Sequence, residues 1–167
     1  MHASELIDTA IIKHIAPFLR LAGFRKKAHN FWRDAAHVVD VITIQKSQWN
    51  DARHAQFAVN LGLYWPHVQS TIGSTAKGTP PKEYDCVVRT RLGPLFDGGR
   101  DFWWEVRDEA DVPAVGSDVV QKLREHGLPW LVSGHDPQQA LEYARPLYRA
   151  ERLRAVEAAF RECTPTA

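Results

Sequence analysis

The sequence is short of the features that mark specialised proteins. It has two cysteines, Cys86 and Cys163, far apart and in no paired motif, which argues against a disulfide-stapled secreted framework and against a zinc ribbon. No stretch approaches the roughly 18 consecutive apolar residues of a membrane-spanning helix. The start, MHASELIDTA, has no basic region leading into an apolar one, so no secretory leader is read there. Neither sign of charge is in excess. The 21 Lys and Arg against 20 Asp and Glu leave a formal net charge of +1, which offers nucleic acid or an anionic membrane no general attraction and disfavours both as partners. These absences predict a soluble cytoplasmic protein with reduced thiols, in which any electrostatic recognition is local.

Catalytic and cofactor signatures are also missing. The segment GSTAKGT at 73–79 lacks a lysine directly after its second glycine, and no G-x-G-x-x-G is present, so a phosphate-binding loop is excluded. LVSGHD lacks the first glycine of a nucleophile elbow. The eight histidines are scattered with no pair at i, i+4, so no metal site is read and no cofactor is expected.

What is present is an ordinary globular composition, 44% hydrophobic and 25% charged over 167 residues, the size of one domain with a real core. The longest β-branched run, VVDVITI at 38–44, suits a buried, pleated strand, because branching at Cβ costs rotamer freedom in a helix. Before it, Ile7, Ile11, Ile15, Phe18 and Ala22 make an apolar stripe that predicts a helix over 4–22, capped by Ser4, closed by Gly23, and kinked or restarted at Pro17. Asn30 suggests a tight turn between short strands at 24–29 and 31–34.

After the run, 56–65 alternates Phe57, Val59, Leu61, Leu63 and Trp65 with Ala58, Asn60, Gly62 and Tyr64, the pattern of a strand with one face on a core. Residues 66–84 are rich in Ser, Thr, Gly and Pro and read as a long, functional or mobile loop with room for one helical turn at its start. Strands at 85–92 and 102–106 follow, the former with Cys86, Val88, Thr90 and Leu92 on one side, and a turn at GPLFDGG separates them. A helical region over 117–162 then carries a Ser117 cap, a stop at Gly127, an Asp136 N-cap before Pro137, a break at Pro146, an i, i+4 pair between Glu157 and Arg161, and a frayed TPTA end. The fold class is therefore α+β: an N-terminal helix, a central antiparallel sheet of about five strands over 24–106, and C-terminal helices packed on one face.

The candidate binding residues are polar groups that this arrangement brings together. Gln45, Lys46, Ser47, Trp49 and Asn50 lie at the exit of the central strand, Asn60 on the next, and Arg89 and Arg91 on one face of a third. Guanidinium groups grip carboxylate or phosphate in a bidentate fork. The alternative is a solvated outer face, with the arginines paired to Asp85, Asp40 or Glu105. Trp103 and Trp104 must point to opposite faces of a strand. Tryptophan suits both cores and binding surfaces, so Trp103 and Glu105 join the candidates; Glu105 or Asp85 is the only base in view, and neither has a nucleophile beside it. Charge is also polarised: residues 101–118 hold six acidic groups and one arginine, whereas 20–33 hold five basic groups and no acidic one.

As a set, HIAPFLRLAGFRKK, FWR, VITIQKSQWN, FAVNLGLYWP, PKEYDCVVRTRLG and FWWEV resemble the bacterial domain of unknown function family 4304. The resemblance implies a small bacterial cytosolic α+β domain and supplies no activity. Two functions follow from the residues. The first is a non-catalytic binding or protein-interaction module, of accessory or immunity type, that engages an unknown protein partner through one face of the sheet. The second is a small-anion or nucleotide site, catalytic or not, built from the basic and amide cluster.

Overall fold

In a computed structural model, which describes residues 2–163, the β-branched run becomes β3 and lies near the middle of a six-stranded antiparallel sheet. In chain order the elements are α1 (Ala3–Ala10), a π-helical segment (Ile11–Ile15), α2 (Ala16–Leu21), β1 (Arg25–Lys27), β2 (Asn30–Asp34), β3 (Val39–Lys46), β4 (Ala55–Tyr64), α3 (Pro66–Thr71), a 3-10 turn (Glu83–Asp85), β5 (Val88–Arg91), α4 (Gly93–Phe96) and β6 (Trp104–Val106). They continue with α5 (Asp111–Lys122), a second π-helical segment (Leu123–Gly127), α6 (Leu128–Ser133), α7 (Pro137–Ala144), a 3-10 turn (Arg145–Leu147) and α8 (Ala150–Cys163). The strand order is β1-β2-β3-β4-β5, with β6 also on β4. Residues 60–63 of β4 pair with β5 and residues 55–57 with β6, so one long strand carries two short ones along the same edge.

The alternation read in β4 places Phe57, Val59, Leu61 and Leu63 in the main core with Ile42, Ile44, Phe31 and Val88. Against that face lie α1 and α6, with α5 packed on α1 and on the first π segment. Trp65 meets Phe160 of α8 edge to face at 5.4 Å.

Pro17, where a kink or restart is expected, and Pro129, just after the stop expected at Gly127, both lie within continuous helical structure, whereas the break expected at Pro146 is present, with a 3-10 turn at Arg145–Leu147 before α8. A proline in mid-helix lacks an N–H and crowds the carbonyl four residues back. Just ahead of Pro17 the chain widens into a π turn in which Ala16 N–H reaches the Ile11 carbonyl, and ahead of Pro129 Leu128 N–H reaches Leu123 in the same way. An extra residue per turn removes the clash without ending the helix. Helical structure thus runs on through Pro17, and from Asp111 to Ser133, so Gly127 does not stop it and Ser117 lies inside α5 rather than capping it.

Other boundaries move for local reasons. Ser4 is the second residue of α1, which is capped at His2; the Glu5 carboxylate accepts the His2 N–H at 3.1 Å. Gly23, at φ +95°, does close α2, with Phe24 N–H on Leu19 and Gly23 N–H on Arg20, a Schellman pattern. The first hairpin turns at Ala28–His29 with Lys27 opposite Asn30, so Asn30 is a strand residue; its amide is used across the sheet instead. GPLFDGG contains the short helix α4. β5 begins at Val88, so Cys86 falls on the opposite side of the sheet from Val88, in a small cluster with Val41 and Tyr64. Asp136 caps α7 by accepting the Gln139 N–H at 3.0 Å, and Glu157 pairs with Arg161 at 3.3 Å. The TPTA end lies outside the described residues.

One buried polar cluster ties the layers together. Asp40, fully buried, takes Arg33 Nε at 3.0 Å and Nη2 at 2.8 Å, and lies 2.7 Å from His135 Nε2 in the α6–α7 turn. Arg33 also donates to the Ala22 carbonyl and stands over the Phe24 ring at 4.5 Å. Removing one partner of a buried ion pair leaves the other uncompensated.

In urea unfolding, Ile42→Ala and Leu61→Ala should each lose about 2–5 kcal/mol, and Asp40→Ala about 3–5 kcal/mol. Arg91→Ala, at a half-exposed ion pair, should lose no more than about 1 kcal/mol.

Candidate functional site

The pleat turns Ala58, Asn60, Gly62 and Tyr64 of β4 away from the helices. The register sets Arg91 opposite Asn60 and Arg89 opposite Gly62 on β5, with Thr43 and Val41 opposite the same two residues on β3. Asn60, Arg89 and Arg91 therefore share one face, as the period of two in the sequence predicts.

The segment after α3 folds back over part of this face as a strap. Gln69, fully buried, holds both ends: its Nε2 donates to the Ser74 and Asp85 carbonyls at 2.7 and 2.8 Å, and its Oε1 accepts the Val87 N–H at 2.6 Å. Along the way the Tyr64 hydroxyl accepts the Ala76 N–H at 2.9 Å, and Asn30 Nδ2 donates to the Pro81 carbonyl at 3.2 Å. Gly62 makes the close approach possible. A Cβ there would stand 2.6 Å from Cys86 Sγ and 3.4 Å from the Glu83 Cα, so the strap seats only on a bare backbone.

Beside the strap lies a pocket of about 570 Å³. Gln45 and Asn60 lie on its sheet side, Glu83, Tyr84 and Cys86 come from the strap, Arg89 and Arg91 from β5, Tyr148 from the connection just before α8, and Arg152 from α8. Neither β5 arginine takes a partner named in the sequence reading. Arg89 Nε lies 2.9 Å from Glu83, and Arg91 Nη1 lies 2.6 Å from Asp101. Arg91 also lies over the Trp103 ring at 4.9 Å, and Trp103 Nε1 donates to the same Asp101. Arg152 donates to the Ile72 carbonyl at 2.8 Å and Tyr148 to the Val87 carbonyl at 2.6 Å. Asn60 Nδ2 donates to Gln45 at 2.8 Å, whereas its Oδ1 is buried and accepts no hydrogen bond among the described residues.

Burial governs the protonation of this wall. It pushes the Glu83 carboxyl above its ordinary range, against the opposing pull of Arg89 and Arg91. It likewise raises the Tyr148 hydroxyl, and raises the Cys86 thiol well above its usual value, helped by Glu83 and Asp85. Cys86 is thus held as an unreactive thiol.

The remaining candidates separate. Lys46 points to the helix side, donating to the Ser4 carbonyl at 3.0 Å and lying 2.9 Å from Asp8. Burial raises Asp8, but hydrogen bonds and charge from Lys46 and His29 outweigh it and hold that carboxyl below its ordinary range. Ser47 and Asn50 shape the β3–β4 hairpin. The Ser47 hydroxyl accepts the Trp49 N–H, while Asn50 bonds both the N–H and the carbonyl of Gln56. Trp49, at the hairpin tip, is 82% exposed. Glu105 accepts Gln56 Nε2 at 3.0 Å at the far end of the sheet. Trp104 is buried and donates to Asp118, the opposite side from Trp103. Among the described residues no group of three His, Cys, Asp or Glu is placed to hold a metal ion, and no helix is long and apolar enough to cross a membrane.

Sequence reasoning missed Glu83, Tyr148 and Arg152. The first sits in a 3-10 turn within what reads as loop, and the other two lie beyond the Pro146 break, where no pattern encodes their distance from β5.

In a Cys163→Ser background, Gly62→Val should lift the strap, and Cys86 should then react with a thiol reagent at least about tenfold faster than in the parent, since reactivity follows exposure and thiolate character. An unchanged rate would show that the strap seats without this glycine.

Neither the curated proteins nor the solved structures provide a match to the chain. The sequence model of one family does match, over residues 15–133, a span that runs from the last residue of the first π segment through α2, the whole sheet and the strap to the end of α6. The chain accordingly belongs to the family described as Domain of unknown function (DUF4304).

Proposed function

We propose that this protein is a binding protein whose pocket takes the carboxylate or phosphate group of a small anionic ligand. The observation that carries this reading is Asn60, with a buried acceptor oxygen that has no hydrogen-bond partner among the described residues, in a pocket lined by three arginines. Guanidinium groups supply donors for an oxyanion, and the Asn60 oxygen asks for an N–H or O–H on the same ligand, because an unsatisfied buried acceptor costs about 1–3 kcal/mol. A phosphorylated metabolite, a nucleotide or a hydroxy acid meets both demands. Glu83 and Asp101 then act as positioning groups that hold Arg89 and Arg91 ready.

A second reading rests on Trp49. An indole 82% exposed at a hairpin tip suits a protein partner of the accessory or immunity type, since exposed aromatics anchor interfaces. A bacterial cytosolic setting fits either reading, both cysteines being unpaired thiols.

Thermal unfolding with inorganic phosphate, nucleotides and dicarboxylates separates the two. A ligand at a hundred times its Kd adds about 2.7 kcal/mol, or roughly 5–10 °C in Tm for a chain of this size, and Arg91→Ala and Arg152→Ala should abolish the rise. An equal rise in the variants would place the anion elsewhere; no rise with any anion would favour the protein partner.

Glu83 makes both stability and binding depend on pH. Its folded pKa lies above its unfolded value, so its contribution to stability is complete below the ordinary glutamate range and is lost as pH rises through the folded value. Protonation also loosens its hold on Arg89. Binding of a ligand that stays fully ionised, such as a sulfate ester, should therefore tighten as pH falls from neutral towards the ordinary glutamate range, and Glu83→Gln should flatten the profile measured by calorimetry.

A further inference from the structure

A second hollow of about 520 Å³ lies on the same face of the sheet, with Lys27, Asn30, Thr43 and Lys82 in its lining. Tyr84, 64% exposed, lines both hollows. The strand register joins them. Lys27 is opposite Asn30, Asn30 opposite Thr43, Thr43 opposite Asn60, and Asn60 opposite Arg91, so one row of cross-strand neighbours runs the full width of the five-strand path. Its two ends are cations and its middle is amide and hydroxyl. Residues facing one another across strands share a face, and four strand spacings of about 4.8 Å separate the end residues by about 19 Å.

We infer that the two hollows are halves of one groove, and that the groove binds an extended peptide segment carrying carboxylates about six residues apart. This rests on the anion-binding reading of the arginine pocket and extends it to a ligand class.

Three features select a peptide. The first is length: an extended chain rises about 3.3 Å per residue and covers the row in about six residues. The second is the polarity of the middle. Thr43 gives its hydroxyl hydrogen to Asn30, and Asn30 gives its amide to the Pro81 carbonyl. What the row offers a ligand at its centre is therefore acceptor oxygen, on Thr43 and on Asn60. Peptide N–H groups meet acceptors, whereas the phosphodiester linkages of a nucleic acid bring only acceptors of their own. The third is the spacing of charge. A nucleic-acid strand carries a phosphate about every 3.4 Å of helix axis, and the middle of the row has no cation for those phosphates. The ends do carry cations, Arg89, Arg91 and Arg152 in one hollow and Lys27 and Lys82 in the other. The strap, tied to Asn30 through Pro81, forms one wall, and Tyr84 stands where the hollows meet.

The test uses N-succinyl-oligoglycines of one to seven residues, which have a carboxylate at each end and peptide N–H groups between, titrated into the full-length protein by calorimetry. Affinity should rise with length and peak where the probe spans the row, at least about tenfold above the shortest member, as expected when one molecule engages two linked sites. Lys27→Ala should return the long probes to the affinity of the short ones and leave the short ones unchanged; Arg91→Ala should weaken both. Binding that is independent of length and indifferent to Lys27→Ala would overturn the groove while the arginine pocket stands. Failure of every length, the shortest included, would overturn the groove together with the pocket reading. Tighter binding of a thymidine hexanucleotide than of any oligoglycine would overturn the peptide assignment.

Discussion

The alternation of side chains along β4 is the constraint on which the rest depends. This strand is paired on both edges, so its odd and even residues must each find cover on opposite faces of the sheet. Phe57, Val59, Leu61 and Leu63 are covered by helices. Ala58, Asn60, Gly62 and Tyr64 are small or polar, and no helix layer could bury them without leaving hydrogen-bonding groups unpaired. Gly62 and Tyr64 are covered instead by the strap, an irregular segment that brings its own carbonyls and amides. The pleat thus decides the core on one side and the site on the other.

The strap covers only part of its face, and that is why a pocket exists. It lies tight on the sheet at Gly62, where Cys86 comes within reach of the backbone, and it is pinned at Gln69, Tyr64 and Asn30. Towards β5 the cover gives way to long charged side chains. Carboxylates from the strap and from the α4–β6 connection orient the two β5 arginines, and burial raises the pKa of the strap's own glutamate. The groups that shape the pocket are therefore coupled to one another by charge, the strap's glutamate to Arg89 and Asp101 to Arg91.

On the helix side, two further devices hold the layers in place. The π segments ahead of Pro17 and Pro129 let single helical runs span the sheet where local rules predict breaks. The Asp40, Arg33 and His135 cluster fastens the end of α2, the β2–β3 pair and the α6–α7 turn at one point. Both solve local steric or electrostatic problems that propensity alone registers as penalties.

The sequence by itself determined the α+β class, the central strands, the shared face of Asn60, Arg89 and Arg91, the capping of α7 by Asp136 and the break at Pro146, because each follows from periodicity or from chemistry within a few residues. Only the tertiary structure decided that Lys46 serves α1, that Ser47 and Asn50 shape a hairpin, that Glu83 and Asp101 are the arginines' partners, and that Arg152 and Tyr148 complete the pocket. Those outcomes depend on distances between segments far apart in the chain, set by how the strap and the C-terminal helices pack. Local patterning carries no term for such distances.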